Sequence, residues 1–151
     1  MKKILFVFLV SLVSVGAKAQ TEEDAIKAAV NLFFQGMNNA DPATIQSSFA
    51  DSAILQTIMV TKEGRTVVRN ENIQAVANSV TRFKAGDLDE QITFGSIKQD
   101  GLLASVWTPY NFYAKGKFSH CGNNSFQLVK QNGVWKIQYI IDTRRKEGCT
   151  Q

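Results

Sequence analysis

"VWTPYNFYAKGKFSHCGNNSFQLVKQNGVWKIQYIIDTRR", residues 106–145, decides the fold. Two hairpin signals divide it, Lys115-Gly116 and Asn132-Gly133, and a third, Asp100-Gly101, stands just upstream. In such pairs glycine accepts the positive φ of a two-residue turn, and asparagine or aspartate tolerates it. The turns mark out four long strands: Gln91–Gln99, Leu102–Ala114, Lys117–Gln131 and Val134–Arg144. The C-terminal half is thus expected to be an antiparallel meander.

Upstream, the period changes from strand to helix. Thr21 with Asp24 forms a variant of the capping box, and Ile26, Val30, Phe33 and Met37 then recur on one helical face. Asp41 and Pro42 open a short second helix carrying Ile45 and Phe49. Ala53–Val60 reads as a strand, "KEGR" as a turn and "TVVR" as a short strand. Asn70 is expected to cap a third helix, with Ile73, Val76, Ala77, Val80 and Phe83 on its apolar side and its end near Gly86. Helices segregated from a meander indicate an α+β domain, with the helices on one face of a curved sheet.

This order of elements, with the terminal "GVWKIQYIIDTRR", resembles the nuclear transport factor 2-like superfamily. "VWTPYNFYAKGKFSHCGNNSFQLVK" followed by "WKIQYIIDTRRKEGC" is similar, more closely, to its "putative lumazine-binding" proteins. The resemblance spans residues 20–151 and implies a cystatin-like cone, a curved antiparallel sheet wrapped around N-terminal helices. It implies no one function, because the superfamily holds isomerases, dehydratases, polyketide cyclases and non-catalytic binding modules.

Residues 1–19 read as a signal peptide. Lys2 and Lys3 precede the apolar run Ile4–Val15, and Ala17-Lys18-Ala19 supplies small residues for cleavage before Gln20. The run is too short for the roughly 20 residues that span a bilayer. A bacterial periplasmic or secreted protein is expected, a single domain over 20–151, with no membrane anchor after cleavage. Removing Lys2, Lys3 and Lys18 leaves 14 basic side chains against 13 acidic ones, so no positive surplus remains for nucleic acid. In an oxidising compartment Cys121 and Cys149 allow one intramolecular disulfide, provided that the tail folds back past the last strand. With a single histidine and no zinc spacing, no metal site is expected. No P-loop, dinucleotide fingerprint or Gly-x-Ser-x-Gly motif appears, so no cofactor is expected either.

If each turn is a two-residue loop, the strands fall into register. Phe126 then faces Tyr139, Leu128 faces Ile137, Asn111 faces His120, and Asn124 faces Trp107 and Ile141. One sheet face thereby gathers Trp107, Asn111, Tyr113, His120, Asn124 and Tyr139, with Met59 from the first strand, as candidate ligand-binding residues. Aromatic rings for stacking, with amides and an imidazole for an edge, describe a pocket for a small, partly planar organic molecule. The opposite face, with Ile97, Val106, Tyr110, Phe112 and Ile140, is apolar enough to form a homodimer interface. Pro109 marks an edge or a bulge in its strand.

His120 and Asp142 are the candidate acid/base residues if the protein is an enzyme. The register separates them on opposite faces, and Asp142 with Arg144 reads better as a structural ion pair. Asp87 and Asp89 read as helix-exit loop residues. The residues therefore favour binding without turnover, ahead of an isomerase, dehydratase or cyclase, and ahead of an interaction module with a filled cone.

Overall fold

The computed structural model describes residues 21–149; the signal-peptide reading of residues 1–19 lies outside them. Helix α1 (Glu22–Asn38) begins where Thr21 accepts the Asp24 amide at 3.1 Å. Its apolar stripe of Ile26, Val30, Phe33 and Phe34 is buried. Helix α2 (Pro42–Ser48) starts at Asp41, whose side chain accepts from Ala43 and Thr44. The two helices cross at Gly36, where an added Cβ would stand 2.7 Å from the Ile45 nitrogen, so only glycine fits.

Strand β1 (Phe49–Val60) pairs with β2 (Thr66–Glu71), and α3 (Ile73–Ser79) follows, continued by a 3₁₀ turn over Val80–Arg82. Asn72, not Asn70, caps α3 by accepting from the Ala75 amide at 2.8 Å. Asn70 instead lies within β2 and accepts from the Gln56 side chain at 2.7 Å.

The remaining strands are β3 (Leu88–Ile92), β4 (Ser96–Asp100), β5 (Leu103–Ala114), β6 (Lys117–Gln131) and β7 (Val134–Thr143). The sheet runs β2-β1-β7-β6-β5-β3, with β4 also on β5. Local hairpins build most of it, but β1 joins β7 in parallel, a pairing that no turn signal announces. The expected single strand Gln91–Gln99 is in fact two. It breaks opposite Pro109, which has no N–H to offer; Thr93 and Gly95 reach the carbonyls of Pro109 and Trp107 instead.

The bulges fall elsewhere than expected. β5 runs unbroken past Pro109 against Asn123, whereas β5 and β6 shift register between Phe112 and Tyr113, and β6 and β7 between Gln127 and Leu128. Phe126 therefore faces Ile140 rather than Tyr139, and His120 faces Phe112 rather than Asn111. One extra residue in a strand of period two turns every later side chain over. Val106, Tyr110 and Ile140, expected on an outer interface, are instead 1%, 5% and 2% exposed on the inner face. Phe126, Leu128 and Ile137 are fully buried against α1, with Phe34 edge-on to Phe126 at 6.0 Å.

The expected disulfide is present. Cys121 and Cys149 are bonded, and Cys121 exchanges two backbone hydrogen bonds of 2.9 Å with Arg145, which folds the tail back.

Candidate functional site

Where the sheet curls over α1, a cavity of about 270 Å³ remains. Its apolar wall includes Phe33 and Met37 of α1, Leu55 of β1, Val76 of α3 and Phe112 of β5. Its polar wall comprises Thr57, Glu90, Tyr110, His120, Asn124 and Asp142. Arg69, Glu71 and Arg144 complete the charged part of the lining. A larger hollow of about 590 Å³ lies between α1 and the β6–β7 turn, beside Ala28, Leu32 and Trp135. It is an open groove with Lys136 as the one ionisable group in its lining, so chemistry converges in the smaller cavity.

Of the residues expected to bind a ligand, His120 and Asn124 line this cavity. Trp107, Asn111, Tyr113, Tyr139 and Met59 do not. Trp107 is 45% exposed and Met59 37%. Tyr139 donates to Gln56 Oε1 at 2.6 Å, away from the cavity, and Tyr113 packs edge-on against Phe118. Asn111 sits between Cys121 and Gln91 in the ladder. The Phe112/Tyr113 shift explains the inverted β5 residues and the β6–β7 shift explains Tyr139.

The same β7 shift carries Asp142 inward, against expectation. Asp142 is 6% exposed and surrounded by donors. Thr57 Oγ1 donates to it at 2.6 Å and Arg144 Nε at 2.8 Å, and the Tyr110 hydroxyl lies at 3.3 Å. Arg144 also donates to Thr57 Oγ1 at 3.1 Å, closing a compact network. The Tyr110 hydroxyl donates to the Thr143 carbonyl at 2.9 Å, and burial together with the nearby carboxylates pushes its ionisation above the ordinary range. Asp142 is thereby the anchor of the β7 end, as its pairing with Arg144 foretold.

His120 and carboxylates do converge. Burial and the Arg144 charge push the His120 ionisation down, so the ring is neutral at pH 7. Its Nδ1 lies 3.0 Å from Ser119 Oγ, and its ring packs against Phe112 at 5.0 Å and Tyr110 at 5.8 Å.

Glu90, which the sequence pattern did not single out, lines the same cavity on the same sheet wall, paired with Phe112 as Phe112 is with His120. Its Oε1 accepts from Asn124 Nδ2 at 2.8 Å, and Asn124 also donates to Thr108 Oγ1 at 3.3 Å. Burial pushes the Glu90 carboxyl up to about 7; the Asn124 bond opposes this and Asp142 reinforces it. A signal for Glu90 existed: Leu88, Glu90 and Ile92 alternate on one side of β3. Starting that strand at Leu88 rather than Gln91 would have aimed Glu90 inward beside Ile92.

The Glu90 shift has a measurable consequence. A raised carboxyl pKa means that the folded chain keeps a proton that the unfolded chain has lost, so stability falls as pH rises from about 4.5 to about 7. Above that window the full cost is present. Glu90→Gln removes it, and at pH 8 the variant is expected to be about 2–3 kcal/mol more stable than the native chain, with little difference at pH 4. Urea unfolding at both pH values checks this; an equal offset at both would contradict it.

Among the described residues, no three His, Cys, Asp or Glu side chains cluster to hold a metal ion, and no helix is long and apolar enough to cross a membrane.

Comparison places this geometry. No curated protein matches the chain. Many solved structures share its fold. A nuclear transport factor 2-like protein of unknown function from Shewanella baltica OS155 has a TM-score of 0.64 at 17% identity, over 83% of this chain and 95% of that one. A protein of unknown function with a cystatin-like fold from Nostoc punctiforme PCC 73102 reaches 0.66 at 14% identity, over 84% and 95%. A third, nuclear transport factor 2-like with a cystatin-like fold, from Novosphingobium aromaticivorans, gives 0.65 at 10%, over 85% and 84%. Identities this low show the fold alone. The model of one family matches residues 21–139, taking in α1 and most of β7 with all that lies between. By that match, over a cone built as the fold requires, the chain belongs to the family described as "Putative lumazine-binding".

Proposed function

We propose that the protein is an exported binding protein whose cone holds one compact, partly planar organic molecule without turning it over. The observation that carries this reading is the cavity of about 270 Å³, in which apolar side chains and hydrogen-bonding groups share the lining. Its volume falls near the small end of the roughly 300–1,000 Å³ of ligand pockets. Asp142 is saturated by Thr57, Arg144 and Tyr110, and the His120 ring nitrogen has a hydroxyl beside it rather than an orienting carboxylate. Both arrangements suit recognition better than proton transfer. The open cavity gives no support to an interaction module with a filled cone. Export is supported by the signal-like N-terminus and by the disulfide, a bond that persists in oxidising compartments. The outer sheet face, with Ile54, Leu103 and Trp107 each near half-exposed, suits a homodimer.

One experiment reads all of these. Native mass spectrometry of protein from its own host is expected to show two chains, each beginning at Gln20, with a retained small mass. Val76→Trp, which fills the cavity from α3, should lose that mass, while Trp107→Ala on the outer face should keep it. Equal loss in both variants would sink the placement, and no retained mass in the native protein would count against binding.

A second reading rests on a specific observation: Glu90, titrating near neutrality, shares the cavity with His120. An isomerase, dehydratase or cyclase would then use Glu90 or His120, in place of Asp142, as its acid/base. Exchange of a carbon-bound hydrogen of the retained molecule with D₂O, abolished in Glu90→Gln, would decide for it.

A further inference from the structure

The charges of the cavity wall do not all cancel. Arg69 Nε donates to Glu71 Oε1 at 2.6 Å, and Arg144 Nε donates to Asp142 Oδ2 at 2.8 Å. Each guanidinium therefore has its own carboxylate. Among the lining residues this leaves Glu90, whose Oε1 is met by a neutral amide, Asn124, and not by a cation.

The other groups of the cavity lining do not change that balance, and the hollow on the other side of Glu90 adds only Asp89 as a charged neighbour. β7 and the residue after it contribute Asp142 and Arg144, already paired with each other. β2 contributes Arg69 and Glu71, also paired. β6 contributes His120, neutral at pH 7, and β5 contributes Tyr110, whose phenol stays protonated. α1 and α3 bring Phe33, Met37 and Val76, which carry no charge. At Glu90 the repulsion from Asp142 outweighs the attraction from Arg144. Beside Glu90 on the sheet stand flat rings, Phe112 as its ladder partner and His120 next to that, 5.0 Å apart and tilted by 42°.

We propose that the cone selects an organic base: a flat aryl amidine or a basic nitrogen heterocycle whose protonated edge bonds the Glu90 carboxylate while its ring lies against Phe112 and His120. This rests on the reading of the cone as a small-molecule site and narrows it. The proton balance is simple. A base arriving neutral takes the Glu90 proton onto its nitrogen, and a base arriving as a cation displaces that proton to water.

A cation ranks first because it gives a half-buried carboxyl the one partner the wall withholds. A neutral molecule leaves that carboxyl either protonated or charged without a partner, and an unpaired buried charge is costly. An anion meets Glu71, Glu90 and Asp142 while both guanidinium groups are engaged. A charge-assisted hydrogen bond of this kind is about twice as strong as a neutral one.

The test uses three isosteric probes on the disulfide-intact chain from Gln20: benzamidine, benzamide and benzoate. Calorimetric titration is expected to rank benzamidine first at about pH 7.5. Its affinity should rise about tenfold or more from pH 5.5 to 7.5, as Glu90 loses its proton, while that of benzamide stays nearly flat. Glu90→Gln should cut benzamidine binding at pH 7.5 by about tenfold or more, flatten its pH profile and change benzamide by about twofold at most. Benzamide or benzoate binding in the cone more tightly than benzamidine would overturn the base assignment and leave the small-molecule reading standing. So would a benzamidine affinity unchanged in Glu90→Gln. If no probe moves the Phe112 or His120 NMR signals, the assignment falls; native protein that also carries no retained mass takes the wider reading down with it.

Discussion

Gly122→Ala is expected to lower stability by about 3 kcal/mol or more, the upper range for forcing volume into a packed site. A Cβ at Gly122 would stand 1.8 Å from the Thr143 carbonyl oxygen and 2.8 Å from the ring edge and hydroxyl of Tyr110. The nearest of these is backbone and cannot rotate away. β6 and β7 would have to part at the level where Asn123 donates to Thr143 Oγ1. The same movement would pull the Tyr110 hydroxyl from the Thr143 carbonyl and from Asp142, opening the polar wall. Urea unfolding should show a lower midpoint at an unchanged slope. Gly95→Ala, with its nearest neighbours at 3.3–3.4 Å, serves as the comparison and should cost far less. A midpoint in Gly122→Ala equal to the native one would mean that the two strands do not approach so closely there.

Loss of the disulfide is expected to cost about as much. Cys121 and Cys149 are 28 residues apart, and closing a loop of that length restricts the unfolded chain by about 3–4 kcal/mol. Cys149→Ser with Cys121→Ala should therefore melt roughly 10 °C or more below the native protein. Reduction of the native chain should reproduce most of that fall. A second readout separates this bond from a merely local staple. The tail that it pins begins at Arg144, whose charge helps to hold the His120 ionisation down. Freeing the tail should raise the His120 pKa, read by NMR titration of the ring. An unchanged melting temperature after complete reduction would contradict the first expectation, and an unmoved His120 titration the second.

Much of the chain was legible because local rules set it. Thr21, Asp41 and Pro42 open helices where they were read to open them, since capping depends on the few residues next to the cap. Lys115-Gly116 and Asn132-Gly133 take the positive φ that their turns demand. The tail turns back to bring its cysteine to Cys121, the fold-back on which the expected disulfide depended. The candidate site was less legible. His120 and Asn124 were placed correctly because β6 keeps its alternation from one to the other. Trp107, Asn111 and Tyr139 were not, because one-residue shifts stand between the turns and those positions; Tyr113 keeps the pairing its turn sets, with Phe118, but the shift just beyond it puts that pair on the face opposite His120.

The sequence by itself therefore determined the helices, the turns and most of the strands, allowed one cysteine pair, and through its family resemblance implied the cone as a class. The helices and turns follow from residues close together in the chain, the cysteine pair from there being only two to join, and the cone from the family resemblance. Only the tertiary structure decided which aromatics look inward, that Asp142 shares a cavity with His120, and that Glu90 stands there without a basic partner. A face assignment in a sheet has period two, so a single bulge between the turn and the site reverses it. Such a bulge answers to the strands packed beside it rather than to the residues within it.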